Sequence, residues 1–132
     1  LIVVDASVVL SWFLDDELDE FAHTSANRVV SEGALVPAIF PAEVANALMN
    51  AARRGRLTNT DVAERLSRLN ALPIMVDSAR VALAEEVDLA QKHKLTVYDA
   101  MYLHVAVRQQ WTFLTRDADL RRAAVKEKVL VQ

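Results

Sequence analysis

Short apolar runs alternate with helix-period segments along the whole chain, and no other feature of the sequence narrows the fold as much. Residues 1–4, 34–36, 74–76, 112–114 and 129–131 are brief and mostly apolar or β-branched, as strands buried on both faces are. Between them lie stretches with the period of helices: 6–14, 16–30, 40–54, a segment opened by the cap-type residues 58–60, then 78–93, 98–109 and 117–124. In 40–54, Phe40, Val44, Leu48 and Ala52 recur at a spacing of four and make one apolar face. Gly55 follows Arg53 and Arg54, where a glycine just past a helix end is expected. Val62, Leu66 and Leu69 form the stripe of the next helix, and Leu83, Val87 and Ala90 that of the one after Pro73. Residues 98–109 are apolar around most of the circumference, which predicts a deeply buried helix.

Strand–helix alternation of this kind predicts an α/β fold with a parallel sheet covered on both faces. Right-handed crossovers put every strand's C-terminal end on one edge of such a sheet. Ligands bind at that edge, near the point where the strand order reverses. Asp5 follows the first strand directly, and Asp117 closely follows the fourth. The site is therefore expected there.

The 132 residues suit one domain, expected to span 1–132, and 53% hydrophobic content supplies its core. With 2 glycines and 3 prolines, long irregular loops and disorder are not expected. The absence of cysteine excludes disulfides and cysteine-ligated zinc or iron–sulfur sites. No apolar run approaches the roughly 20 residues of a membrane span. No basic segment precedes the apolar start, so neither a membrane anchor nor a signal peptide is expected, and a cytoplasmic location is. The net charge of −3 and pI near 5.6 weigh against a nucleic-acid binder. Yet Asp5, Glu43, Asp99 and Asp117 alone carry four negative charges, and the rest of the chain is slightly positive. A divalent cation among them would reverse the local field.

Each of these acids has an ordinary explanation. Asp5, Asp99 and Asp117 lie where helices are expected to begin, and aspartate is a good N-cap. Glu43 can be a solvated helix residue, although Glu43, Asn46 and Asn50 make one polar stripe opposite an apolar one. Asp99 is harder to explain away, because a carboxylate opening a buried helix must be capped, paired or metal-bound. Several acids at one sheet edge would raise one another's pKa values. A divalent cation such as Mg²⁺ or Mn²⁺ relieves that repulsion, prefers oxygen ligands, and can activate water against a phosphodiester.

The segments Val3-Val4-Asp5-Ala6-Ser7, Glu43-Val44-Ala45-Asn46-Ala47-Leu48, Tyr98-Asp99-Ala100-Met101-Tyr102-Leu103 and Leu114-Thr115-Arg116-Asp117 resemble, in type, order and approximate spacing, the four motifs of PIN-domain nucleases. The resemblance covers essentially the whole chain, and its compact length is similar to that of VapC-type toxins of toxin–antitoxin pairs. It implies a three-layer α/β/α fold with a five-stranded parallel sheet in the order 3-2-1-4-5. It implies Mg²⁺- or Mn²⁺-dependent endonucleolytic cleavage of RNA. Asp5, Glu43 and Asp99 match the family's principal acids and Asp117 its more variable fourth, with Asp5, Asp99 and Asp117 as metal ligands. Ser7 and Thr115 match positions that support the acids by hydrogen bonding, and Asn46 follows Glu43 as the motif expects. The implied partners are an RNA substrate, a second copy of the chain and a cognate antitoxin. The two amphipathic helices within 40–69 are expected to accept the antitoxin's apolar helix, and a cationic side chain among the carboxylates would displace the metal by supplying the missing charge. The family pattern gives Asp119 no place.

Basic residues offer candidate RNA contacts: Arg53, Arg54 and Arg56 around Gly55, and Arg116 beside Asp117. Helix-dipole complementarity explains the first three equally well, and Arg121 and Arg122 pose the same choice. His23, His93 and His104 have no metal-binding spacing, and His104 is expected to be a satisfied core residue. Trp12 and Phe13 are expected to pack in the core or at a subunit contact. Two rivals stand beside the nuclease. A receiver-type phosphoacceptor also places acids at strand ends, and Asp77 follows the third strand; but one aspartate, not an acidic pair, ends the first strand, and no lysine follows 129–131. A catalytically idle PIN-like partner would keep the fold without the chemistry, against which all four positions are acidic.

Overall fold

Three β-branched residues flanked by a carboxylate open the computed structural model, which describes residues 1–14, 18–79 and 82–132. β1 (Ile2–Val4) is wholly buried, and α1 (Ala6–Leu14) follows after Asp5 alone. Then come α2 (Glu20–Glu32), β2 (Ala34–Val36), α3 (Phe40–Arg53), α4 (Asn59–Asn70), β3 (Ile74–Val76), α5 (Leu83–His93), α6 (Val97–Gln109), β4 (Phe113–Leu114) and α7 (Ala118–Lys126). The expected start of α2 at Asp16 lies outside the described residues. The helix observed begins after Asp19, whose carboxylate accepts the Ala22 amide at 2.8 Å as an N-cap. The helix expected over 78–93 is shorter at its front and starts at Leu83.

The sheet is parallel, in the order β3-β2-β1-β4. Val3 sits between Leu35 on one side and Phe113 on the other. The expected fifth strand is not formed: Val131 makes one isolated parallel bridge to Phe113. Among the described residues the sheet therefore has four strands rather than five, although the C-terminal segment does lie beside β4, where the order 3-2-1-4-5 puts it. Two features limit the pairing. β4 is only two residues long, so it offers few ladder positions. Lys128, just ahead of the segment, has a left-handed backbone (φ 60°), and Leu130 is 76% exposed, so Val129 and the partly buried Val131 hold the segment to the core without a continuous ladder.

The helices form two sets by contact. α1 touches α2 and α3, and α3 touches α4; α6 touches α5 and α7. This is the three-layer arrangement that right-handed crossovers require when the chain runs outward from β1 to β3 and then crosses back to β4. The core lies between the sets: Val3, Val4, Val8, Val9, Val44, Leu48, Tyr102, Leu103 and Phe113 are fully buried. Gly55 closes α3 with φ 76°, in the left-handed conformation that glycine adopts without a Cβ penalty. Trp12 and Phe13 pack as expected against the core, and the Trp12 indole donates to Ser25 Oγ at 3.1 Å, tying α1 to α2.

Candidate active site

The strand order reverses between β1 and β4: β1 continues outward to β2 by one set of helices, and β4 arrives beside it by the other. The two acids nearest that crevice are held by the register itself. The Asp5 amide donates to the Leu114 carbonyl at 3.0 Å, which brings Thr115 alongside Asp5. Thr115 Oγ1 then donates to Asp5 Oδ2 at 2.9 Å, and Ser7 Oγ donates to the same oxygen at 2.8 Å. Thr115 Oγ1 also accepts the Asp117 amide at 3.1 Å. One buried hydroxyl thus locates both carboxylates. Asp117 caps α7 through the Leu120 amide at 2.9 Å while lining the cleft, so its ordinary role and its site position coexist.

The other two acids come from opposite layers. Glu43 lies in the first turn of α3 and Asp99 in the first turn of α6. The ordinary explanation of Asp99 as an N-cap does not hold. Thr96 caps α6, its hydroxyl accepting the Asp99 amide at 3.1 Å, so the Asp99 carboxylate is not needed for the helix. The Tyr102 hydroxyl, one turn further along α6, donates to Glu43 Oε1 at 2.9 Å across the layers.

Asp5, Ser7, Glu43, Asn46, Asp99 and Asp117 line a single cleft of about 560 Å³, together with Asn50 and Arg116. Burial raises the carboxyl pKa values of Asp5, Glu43 and Asp99, and the hydrogen bonds each accepts oppose it, most of all the several at Asp5. Mutual repulsion adds to it: Asp117 acts on Asp5, Asp5 and Asp99 on Glu43, and Asp5, Asp117 and Asp119 on Asp99. Among the described residues, no three His, Asp or Glu side chains close around one point as a metal cage. The donor set is nevertheless all oxygen and anionic. An open cluster of this type fits a hydrated hard cation such as Mg²⁺, which keeps several waters and takes one or two carboxylates.

The arginines divide. Arg116 lines the cleft but is ion-paired with Asp19, and its guanidinium lies 4.9 Å from the Phe21 ring centroid. Arg56 donates to the Leu14 carbonyl at 3.1 Å. Arg53 and Arg54 are exposed at the end of α3, and Arg53 extends the Glu43–Asn46–Asn50 stripe. Asp119 pairs with Arg122 in the first turn of α7. His104, mostly buried, meets Glu85 at 2.7 Å and so is satisfied as expected. Two site residues had no role assigned from sequence, Tyr102 and Asn50. Asn50 was legible in spacing, seven residues after Glu43 on the same stripe, whereas Tyr102, three residues after Asp99, lies in a helix whose apolar circumference makes it read as core. Asp77, the acid on which a receiver reading leans, is ion-paired with Arg108 and does not line the cleft. The order 3-2-1-4 also differs from the 2-1-3-4-5 order of receiver folds.

Comparison with known proteins places the fold among solved relatives and gives a family match. The PIN domain family model matches residues 2–126. Ribonuclease VapC3 of Pyrobaculum aerophilum is 33% identical over 121 residues, covering 90% of this chain and 91% of the relative. The crystal structure of PAE2754 from Pyrobaculum aerophilum superposes with a TM-score of 0.72 at 25% identity, over 92% of this chain and 83% of that one. FitAcB from Neisseria gonorrhoeae shares the fold with a TM-score of 0.69 at 21% identity, over 99% and 96% of the two chains.

Proposed function

The chain belongs to the PIN-domain family, and from that premise we propose that it is a Mg²⁺- or Mn²⁺-dependent endoribonuclease of the VapC type, the toxin of a toxin–antitoxin pair. One observation carries the reading. Four acids from β1, α3, α6 and the start of α7 line one cleft at the strand-order reversal. Asp5, Asp99 and Asp117 are the residues we assign to the metal, one or two of them directly and the others through its waters. When bound, the ion supplies an activated water and offsets charge on the cleaved phosphodiester.

The chain's own groups do the remainder. Ser7 and Thr115 fix Asp5 Oδ2 and so hold the carboxylate in the cleft wall. Glu43, held by Tyr102, has a raised pKa and stands opposite Asp5 as the group suited to pass a proton. Asn46 and Asn50 add neutral polar groups along the wall of the cleft, where a phosphate or sugar hydroxyl can be bound without adding charge. The substrate reading places the protein with cellular RNA in the cytoplasm. A second copy of the chain and an antitoxin complete the assembly that we assign to it.

Asp5→Asn tests the assignment with little change of shape, because the amide oxygen can still accept from Ser7 and Thr115. We expect RNA cleavage to fall by roughly a hundredfold or more, with the melting temperature preserved. EDTA should abolish cleavage by the wild type, and Mg²⁺ or Mn²⁺ should restore it. Cleavage that continues undiminished in EDTA would reject the metal mechanism.

A further inference from the structure

Between the end of α5 and α7 lies a groove of about 380 Å³. Its polar lining is Lys92, His93 and Lys94 from the end of α5, and Asp119, Arg122 and Lys126 from α7. Four cations and one carboxylate thus face one space, in a chain whose net charge is −3. Two of the cations are engaged: Arg122 pairs with Asp119, and Lys92 with Glu127 at 3.1 Å. Lys94 and Lys126 are exposed and have no ion-pair partner among the described residues.

Helix-dipole complementarity accounts for a cation at the end of each helix. It does not account for bringing the ends of α5 and α7 together so that their cations repel across a groove. The His93 ring is buried in the wall and turned to Glu127, its Nε2 3.6 Å from Glu127 Oε1, which leaves the lysines to face the open space. A wall of this kind is suited to an anion with several acceptor oxygens.

The groove is tied to the cleft through Asp119, two residues after Asp117. Asp119 lines the groove and its charge acts on Asp99, which lines the cleft. Lys94 is two residues from Thr96, the cap of the helix that carries Asp99. We propose that this groove binds the phosphate backbone of the RNA on one side of the cleaved bond, with Lys94 and Lys126 as its principal contacts. The proposal rests on the ribonuclease reading. It also answers the charge objection to that reading, since an acidic cleft repels phosphates and the affinity must come from a neighbouring basic surface.

The test is binding of a short fluorescein-labelled single-stranded oligoribonucleotide to the full chain in EDTA, by anisotropy across a series of salt concentrations. Lys94→Ala/Lys126→Ala is compared with Arg28→Ala/Arg68→Ala, which removes the same charge elsewhere. Two lost phosphate contacts should lower the slope of log affinity against log salt by about 1.4, a loss of roughly ten- to thirtyfold near 0.1 M salt. The control pair should keep the wild-type slope. Equal weakening by both pairs would reduce the effect to net charge and overturn the proposal, as would an unchanged slope in the lysine pair. Displacement of the RNA by oligoglutamate at equal charge would also overturn it, in favour of an acidic protein segment. Cleavage with Mg²⁺ separates the two readings: wild-type cleavage with an unaffected lysine pair sinks the groove alone, whereas no cleavage by the wild type sinks the ribonuclease.

Discussion

Tyr102 is fully buried, and its one polar atom is spent on Glu43. Burial first, and then the Glu43 charge, raise its phenol pKa, so it stays a donor at any working pH. The bond has the opposite effect on its partner: it lowers the Glu43 pKa against the upward push of burial and of Asp5 and Asp99. Tyr102→Phe keeps the ring in the core and removes only the donor. Glu43 is half-buried, so water can take the vacated place, and the stability cost should stay near 1 kcal/mol. Turnover should fall roughly tenfold with little change in KM. The acidic limb of the pH–rate profile should move to higher pH, because the Glu43 pKa rises once its donor is gone. A variant with reduced turnover and an unmoved acidic limb would leave Tyr102 as a packing residue only. The four acids themselves were legible in the sequence because each sits next to an apolar run that fixes where it emerges. Tyr102 was not singled out, since an aromatic in an all-round apolar helix reads as core until the layer opposite is known.

The same locality explains which elements could be read in advance. β1, β2 and β3 were legible because their apolar runs end at a carboxylate, a proline or another polar residue. The segment 129–131 has equal β propensity, but strand formation needs a partner of matching length, and β4 provides two residues. Capping was the other gap: Thr96 rather than Asp99 satisfies the amides of α6. That places a carboxylate in the first turn of α6, where the helix dipole favours it, yet burial and the charges of Asp5 and Asp117 outweigh this and raise its pKa. A carboxyl group with a raised folded pKa contributes stability that is fully present below the unfolded pKa near 4 and lost as pH rises through the folded one. Asp99→Asn removes that loss. In EDTA at neutral pH the variant should melt higher than the wild type by about 2 °C, since solvent screens the repulsion at this partly exposed group. The gap should close on acidification to about pH 4, where Asp99 is protonated in both folded and unfolded chains, and it should narrow in Mg²⁺. A variant that melts lower at neutral pH would mean that the dipole wins and the site is not under repulsion.

At the scale of the molecule, the site is a concentration of negative charge that two kinds of cation can neutralise, a metal ion or a side chain from a partner. The cleft is open to solvent, and α4 beside α3 buries none of its residues completely, its Val62, Leu66 and Leu69 being only partly covered. A partner helix laid on α3 and α4 would cover those apolar side chains and could reach into the cleft with an arginine or lysine. Inserted there, the cation would meet Glu43, Asp99 and Asp117 in place of the metal. Because both ligands draw on the same charge, linkage requires that each weaken the other. Calorimetry of the cognate antitoxin with the wild type should therefore show affinity falling as Mg²⁺ is raised. Asp99→Asn should bind the antitoxin about thirtyfold or more weakly, as expected for the loss of one partner of a buried charge pair, and its affinity should depend less on Mg²⁺. Equal affinity for the two proteins, with no response to Mg²⁺, would mean that the antitoxin covers the cleft without entering it, and inhibition would then have to come from blocking the RNA.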